Sequence, residues 1–157
     1  MSAVTDALQE AVTLLGYMEQ CYKLFEWDVD RFGYALAGGF HTLETQCHKH
    51  QEMCAKALFL EDEEPFLDYP KSESSEDPKA MLEKMEGEEE EFLDKCKSWM
   101  NDSYGDPANF HLFQHLAKWH KKGENGNTGH LKWLKKQLRQ IEDLGGLSAY
   151  LAVQATK

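Results

Sequence analysis

The sequence lacks the features that would mark it as a membrane or secreted protein. None of its 157 residues belongs to an apolar run of about eighteen, the minimum for a spanning helix. The first residues, MSAVTD, do not have the basic and then apolar profile of a secretory signal. Four cysteines, Cys21, Cys47, Cys54 and Cys96, occur without C-x-x-C spacing. We therefore expect a cytoplasmic protein with reduced thiols, and no disulfide scaffold.

Strand-like alternation and internal repeats are also missing. The chain is 41% hydrophobic, which is enough to bury one core at this length. We expect a single domain that spans residues 1–157.

Acidic residues are concentrated in one part of the chain. Residues 61–91 contain fourteen acidic side chains and three lysines, which accounts for the whole net charge of −11. The rest of the chain is balanced, so we expect no nucleic-acid partner. Carboxylates at this density could bind a hard cation if the fold gathers them on one surface, or they could simply form a solvated connection.

Helical periodicity runs through most of the chain. Apolar side chains at three- and four-residue intervals predict a first helix from residue 5, capped by Thr5 or Asp6, to about 36. A turn at Gly38-Gly39 and a second helix over 40–60 follow. The proline- and acid-rich stretch 61–77 predicts a long crossover. The first two helices would pack as an antiparallel hairpin.

Two cap-and-proline pairs predict where the next helices begin. Asp77-Pro78 opens a third helix to about residue 100, and Asp106-Pro107 opens a fourth. The glycine-rich stretch 123–129 breaks that fourth helix, which resumes at His130 and stops at Gly145-Gly146 before a short tail helix from 147 to about 154. The layout predicts an all-α four-helix bundle of the ferritin-like kind.

Several segments resemble ferritins and bacterioferritins. These are Leu14-Leu15-Gly16, Ala57-Leu58-Phe59-Leu60-Glu61, Asp106-Pro107, and the stretch from Gly129 through Leu144-Gly145-Gly146 to Leu151. The similarity covers most of the chain, and its final thirty residues are the most distinctive part. The resemblance implies a subunit of a hollow cage that oxidises ferrous iron at a di-iron centre and stores ferric mineral.

The di-iron ligands of that family do not all carry over. Such a centre takes a glutamate from each of two helices and a Glu-x-x-His pair from each of the other two. By resemblance, the first-helix glutamate falls on Met18, and the second-helix pair falls on Glu52 and Ala55. The third-helix glutamate falls on Glu88, and the last pair falls on Asn127 and His130. No intact Glu-x-x-His occurs in the chain, so we predict an impaired ferroxidase centre.

Other residues suggest further metal chemistry. By resemblance to non-catalytic ferritin subunits, the run Glu88 to Glu91 could nucleate mineral, although four successive carboxylates also fit a solvated helix turn. Met53 stands where bacterioferritins carry a haem-ligating methionine, but buried methionines usually serve packing.

Two further groups of residues could bind soft or borderline metal ions. Cys47, His50 and Cys54 share a helical face and, with Cys21, could bind a soft metal. His111 and His115, at i and i+4, could bind a divalent ion.

The predicted function is an iron-storage, ferritin-like cage subunit with an impaired ferroxidase site and no catalytic residue. It would form homo-oligomers or co-assemble with other ferritin subunits, without nucleic acid or membrane. Iron would bind through the set Glu52, Glu88, His130, Asn127, His50 and Glu91, with haem at Met53 as a minor alternative. Two rivals are an active ferroxidase that uses Glu19, His50, Glu52, Glu88 and His130, and an iron-free interaction protein whose acidic connection 61–77 engages a basic partner.

Overall fold

The computed structural model describes residues 2–68, 70–73, 77–123 and 128–157. Within them lie six α-helices: α1 Ala3–Val29, α2 Tyr34–Leu60, α3 Pro78–Asp102, α4 Pro107–Lys121, α5 His130–Asp143 and α6 Leu147–Gln154. No strand occurs in these ranges, and the all-α bundle with a short C-terminal helix is confirmed. None of the described helices is both long and apolar enough to cross a membrane.

Side-chain caps explain where three helices begin. Asp77 accepts from the Lys79 amide at 2.9 Å and precedes Pro78, as the sequence predicts for α3. Asp106 caps α4 in the same way and accepts from the Asn109 amide. The cap of α1 differs from the prediction, because Ser2 Oγ accepts the Thr5 amide at 3.2 Å.

The turn between α1 and α2 was predicted at the wrong glycines. After Val29 a short 3₁₀ turn, Asp30–Phe32, leads to Gly33, whose φ of +112° favours glycine. A second helix therefore begins at Tyr34 and contains both Gly38 and Gly39. The helix is therefore about two turns longer than predicted. Positions along α2 that are counted from Gly38-Gly39 as its start are displaced by the same amount.

Gly39 serves packing instead of a turn. A Cβ at this position would lie 2.0 Å from Cζ2 of Trp133, whose ring also stacks edge-on against Phe40 at 5.5 Å. The missing side chain lets α5 approach α2, so the glycine is required by a partner distant in sequence.

The helices form two pairs around one apolar core. α1 packs along α2, and α3 packs against both α4 and α5, while α1 also contacts α3. Tyr22, Phe25, Phe40, Phe92 and Phe113 are fully buried in the centre. The crossover after α2 is non-helical where it is described, and Gln9 fixes it to α1 by exchanging two 2.7 Å hydrogen bonds with the Phe66 backbone.

The fourth bundle position is filled by two helices. α4 ends at Lys121 and α5 begins at His130, and both pack on α3. The Gly129 amide donates to the Lys122 carbonyl at 2.9 Å, so the two ends of the break lie side by side. Gly123 has a φ of +81°, which allows the chain to leave α4 sharply. The described helices therefore end and begin on either side of the predicted break at 123–129.

The two neighbouring glycines of α2 offer a matched test of packing. Gly39→Ala should lower the free energy of unfolding by about 1–3 kcal/mol, because its Cβ collides with Trp133. Gly38→Ala should raise it by about 0.5–1 kcal/mol, since nothing lies within 4 Å and alanine favours a helix. Urea unfolding followed by circular dichroism measures both values. Equal effects at the two positions would contradict this packing.

Candidate functional site

A single carboxylate lies in the middle of the bundle. Glu89 of α3 is completely buried, and it is the one acidic side chain in the described ranges with that degree of burial. Its Oε1 accepts from Tyr22 Oη at 2.6 Å and lies 2.7 Å from His130 Nδ1, while its Oε2 lies 2.7 Å from His120 Nδ1. Three hydrogen-bonding groups replace the water that this charge would otherwise keep.

Every bundle position contributes to this site. Tyr22 comes from α1, one turn after the buried Met18. His120 is in the last turn of α4 and His130 is the first residue of α5, so the break in the fourth helix places both rings on the same carboxylate. Their ring centroids are only 4.1 Å apart.

Helix α2 supplies a second layer. Its Gln46 Oε1 lies 2.7 Å from His130 Nε2, and its His50 Nδ1 lies 2.9 Å from His120 Nε2. The thiol of Cys47 completes the group, since one ligand atom from each of Cys47, Glu89, His120 and His130 lies within 4.8 Å of the others. We call these residues the Glu89 cluster: Tyr22, Gln46, Cys47, His50, Glu89, His120 and His130.

The charges in the Glu89 cluster follow from its burial. Burial alone would raise the pKa of Glu89, but the two imidazoles and their hydrogen bonds hold it well below the usual range. Burial lowers the pKa of His120 to about 4 despite the neighbouring carboxylate, and lowers that of His50 to about 2 with help from His120. Burial, followed by the charge of Glu89, raises the pKa values of Tyr22 and Cys47 well above normal. At neutral pH, the carboxylate is therefore ionised and its phenol and thiol neighbours are protonated.

The predicted iron ligands are only partly brought together. His130 and His50 belong to the Glu89 cluster. Glu52 is exposed on α2, where it lies 3.0 Å from His48. Glu88 and Glu91 line a surface hollow between α1 and α3, and Asn127 lies outside the described residues. Metal binding at these separate positions stays a prediction, as does haem ligation by the half-buried Met53.

The sequence analysis singled out four members of the cluster neither as ligands nor as their partners: Tyr22, Gln46, Glu89 and His120. Glu89 follows Met85 by four residues and precedes Phe92 by three, so it continues the buried stripe of α3, and Glu88 lies beside that stripe. His120 continues the stripe Phe113, Leu116 of α4 in the same way. The periodicity signal was present, but it was hidden by the four successive glutamates and by the lysines around His120.

The other predicted metal groups form different contacts. Cys47, His50 and Cys54 are all buried, but Cys54 and Cys21 do not join a metal-sized group with Cys47 in the described structure. His111 is exposed, whereas the ring of His115 stacks edge-on against His50 at 5.7 Å.

The described core is poor in buried carboxylates. Two iron ions in a bundle of this type need carboxylates from all four helices to bridge and balance them. Glu89 is the one fully buried carboxylate of the described residues, and on α1 the thioether of Met18 is fully buried.

Solved structures share this arrangement of helices. Bacterioferritin from Rhodobacter capsulatus matches with a TM-score of 0.86 at 17% identity, over 99% of this chain and 96% of that chain. BfrA, the bacterioferritin of Mycobacterium tuberculosis, matches with a TM-score of 0.87 at 19% identity, over 99% and 98%. The chain has the ferritin-like fold. Neither a protein-family model nor a curated protein sequence matches it.

Within the ferritin-like fold, the Glu89 cluster should make stability sensitive to acid. Unfolded imidazoles bind protons below the ordinary pKa of 6.5, whereas folded His120 does so only near 4. The free energy of unfolding should therefore fall as the pH drops from 6.5 to 4, by on the order of 3 kcal/mol for His120 alone. Urea titrations across this pH range measure the slope.

Two variants distinguish the contribution of the Glu89 cluster to this pH dependence from that of histidines outside it. His120→Gln should reduce the slope between pH 6.5 and 4, with buried His50 keeping its own share, and His111→Gln should leave it unchanged because His111 is exposed. An unaltered slope in His120→Gln would contradict the assignment.

Proposed function

We propose that this chain is a subunit of an iron-storing assembly that binds iron at its surface and has no di-iron ferroxidase centre. The proposal takes the chain as one ferritin-like domain in the cytoplasm. Its main support is the core, where one carboxylate is already engaged by a phenol and two imidazoles. Iron storage itself is inferred from the fold shared with bacterioferritins.

The rival active ferroxidase receives little support from the geometry. It would need Glu19, Glu52 and Glu88 to approach His130. Glu19 and Glu52 instead contact His48 on the surface, at 2.7 and 3.0 Å, and Glu88 lines a hollow on another side. These ligands point to separate places in the fold.

Exposed groups along the seam between α1 and α2 could hold iron as cargo. Glu19, His48 and Glu52 form one acid–imidazole group. A second group lies seven residues along each helix, where His41 Nδ1 is 3.1 Å from Glu26 and 3.5 Å from Glu44. Carboxylate and imidazole donors suit iron ions.

The second surface group holds two carboxylates, Glu26 and Glu44, whose charge is balanced only in part by Lys23, at 3.6 Å from Glu44 Oε1. Burial, followed by the hydrogen bond with Glu26, raises the pKa of Glu44. Oε2 of Glu44 is buried without a hydrogen-bond partner, although His41 lies nearby. A cation here would relieve the repulsion between the two carboxylates.

Iron loading tests the proposed function directly. Aerobic addition of ferrous iron should give slow oxidation, without the rapid uptake of two ions per chain that a di-iron centre produces. Iron retained after gel filtration should fall several-fold in a Glu19→Gln, Glu52→Gln, Glu26→Gln, Glu44→Gln variant, because the surface ligands are gone. Absorbance of ferric iron and iron analysis of the protein peak measure both quantities.

The control for charge is Glu142→Gln with Asp143→Asn, which removes two exposed acids of α5. It should load iron like the original chain. A rapid oxidation phase lost in Glu89→Gln would overturn the proposal in favour of a ferroxidase. A protein that retains no iron would favour the interaction-protein alternative.

Exposed apolar side chains support a homo-oligomer. Trp27 and Tyr34 are 66% and 81% exposed at one end of the α1–α2 pair, and Leu60 is 87% exposed at the other end, followed by Phe66 and Leu67. A two-fold contact between antiparallel copies of this pair would cover the first group with the second. Apolar surface of this kind usually marks an interface.

Oligomer formation should depend on these side chains. Leu60→Glu should convert a dimer or larger assembly to monomer, because a charge would be buried in the contact. Tyr104→Glu, at an 85% exposed position in the turn after α3, should keep at least the dimer. Size-exclusion chromatography with light scattering measures the mass. A monomeric original chain, or a dimer unaffected by Leu60→Glu, would contradict this interface.

A further inference from the structure

We propose that Cys47, Glu89, His120 and His130 bind one tetrahedral transition-metal ion of the zinc class at the centre of the bundle. This inference does not depend on iron storage, because it concerns a resident ion in the core and not cargo on the surface. It differs from a di-iron centre in nuclearity, in geometry and in its sulfur donor.

The distances suit one ion. Zinc bonds of 2.0–2.3 Å place tetrahedral ligands about 3.3–3.8 Å apart. One donor atom from each of the four residues lies within 4.8 Å of the other three. His120 Nδ1 and His130 Nδ1 already lie 2.7 Å from the two oxygens of Glu89, so small outward movements would admit the ion.

The donor types select the class of metal. One sulfur, two imidazole nitrogens and one carboxylate oxygen form a closed set of the kind that binds zinc structurally. Thiolate and carboxylate together would balance the two positive charges, so the buried site would be neutral when filled. Binding breaks the S–H bond of Cys47, and its proton leaves to solvent as the sulfur–metal bond forms.

An independent observation comes from the second layer around His130. Glu89 Oε1 lies 2.7 Å from Nδ1 of His130, and Gln46 Oε1 lies 2.7 Å from Nε2 of the same ring. A neutral imidazole can donate at only one nitrogen. With a metal on Nδ1, the ring would donate from Nε2 to Gln46, which is the usual outer contact of a ligating histidine. Without a metal, the same pair of contacts requires a second ring proton or rotation of the Gln46 amide.

His120 has a matching outer contact. His50 Nδ1 lies 2.9 Å from His120 Nε2, and neighbouring imidazoles can share one proton in either direction. With a metal on its Nδ1, His120 would carry its proton on Nε2 and donate it in a hydrogen bond to His50 Nδ1. Both ligating rings therefore have an outer partner from α2, and the ion would tie α4 and α5 to that helix.

Cobalt(II) is the probe that tests this site. The chelator-treated, full-length protein would be titrated with Co²⁺, with His41→Ala and His48→Ala present to remove the surface groups. We expect one equivalent per chain, intense visible bands of four-coordinate cobalt, and a near-ultraviolet thiolate-to-cobalt charge-transfer band. Zinc should displace the cobalt and abolish the colour. Absence of the charge-transfer band, or two equivalents bound by oxygen and nitrogen alone, would overturn the proposal.

Variants locate the donor. Cys47→Ser should lose the charge-transfer band, whereas Cys54→Ser should keep it, because Cys54 is equally buried on α2 but lies outside the ligand group. Gln46→Leu, which removes only the outer contact of His130, should weaken cobalt binding about 10–100-fold and retain the band. Circular dichroism checks that each variant is folded.

If Cys47→Ser does not fold, the comparison of Gln46→Leu with Cys54→Ser tests whether the proposed ligands bind the metal. Unchanged cobalt affinity in Gln46→Leu, or a band lost in Cys54→Ser, contradicts the assignment. Iron loading of the original chain is scored separately, so failure here leaves the proposed storage role as it stands.

Discussion

The whole core is organised around one buried negative charge. A carboxylate without water is too costly to keep in a bundle interior unless donors surround it. Tyr22, His120 and His130 supply them from three helices, and the two imidazoles have outer partners of their own on α2. The relative placement of the helices and the polar chemistry of the core are therefore set by the same hydrogen bonds.

The same arrangement is the reason why we propose that the chain lacks a di-iron centre. A site for two hard ions is rich in carboxylates and needs the ions to hold them together. Here imidazoles and a phenol compensate the one carboxylate, and Met18 adds apolar volume on α1. A further donor, the thiol of Cys47, lies close enough to Glu89, His120 and His130 to make a different kind of centre.

Much of the fold could be predicted because its signals are local. Asp77-Pro78 and Asp106-Pro107 cap helices through contacts within three residues, and apolar spacing identifies the buried stripes. The end of α1 could not be predicted in this way. Gly39 looks like a turn residue until Trp133, from a distant helix, is seen to occupy its side-chain space. Glu89 was not singled out for a related reason, since an error of one residue among four successive glutamates rotates the side chain in question by about 100° around the helix.

A hydrogen bond between Gly129 and Lys122 joins the two sides of the break between α4 and α5, and this affects which insertions the chain can tolerate. Because Gly129 is bonded to Lys122, the positions of His120 and His130 are set by the helix ends and not by what connects them. Loop-closure entropy rises only slowly with length, by about 0.6 kcal/mol per doubling. Residues inserted between α4 and α5 should therefore cost little stability, and a reporter peptide could be grafted at this point, beside the core.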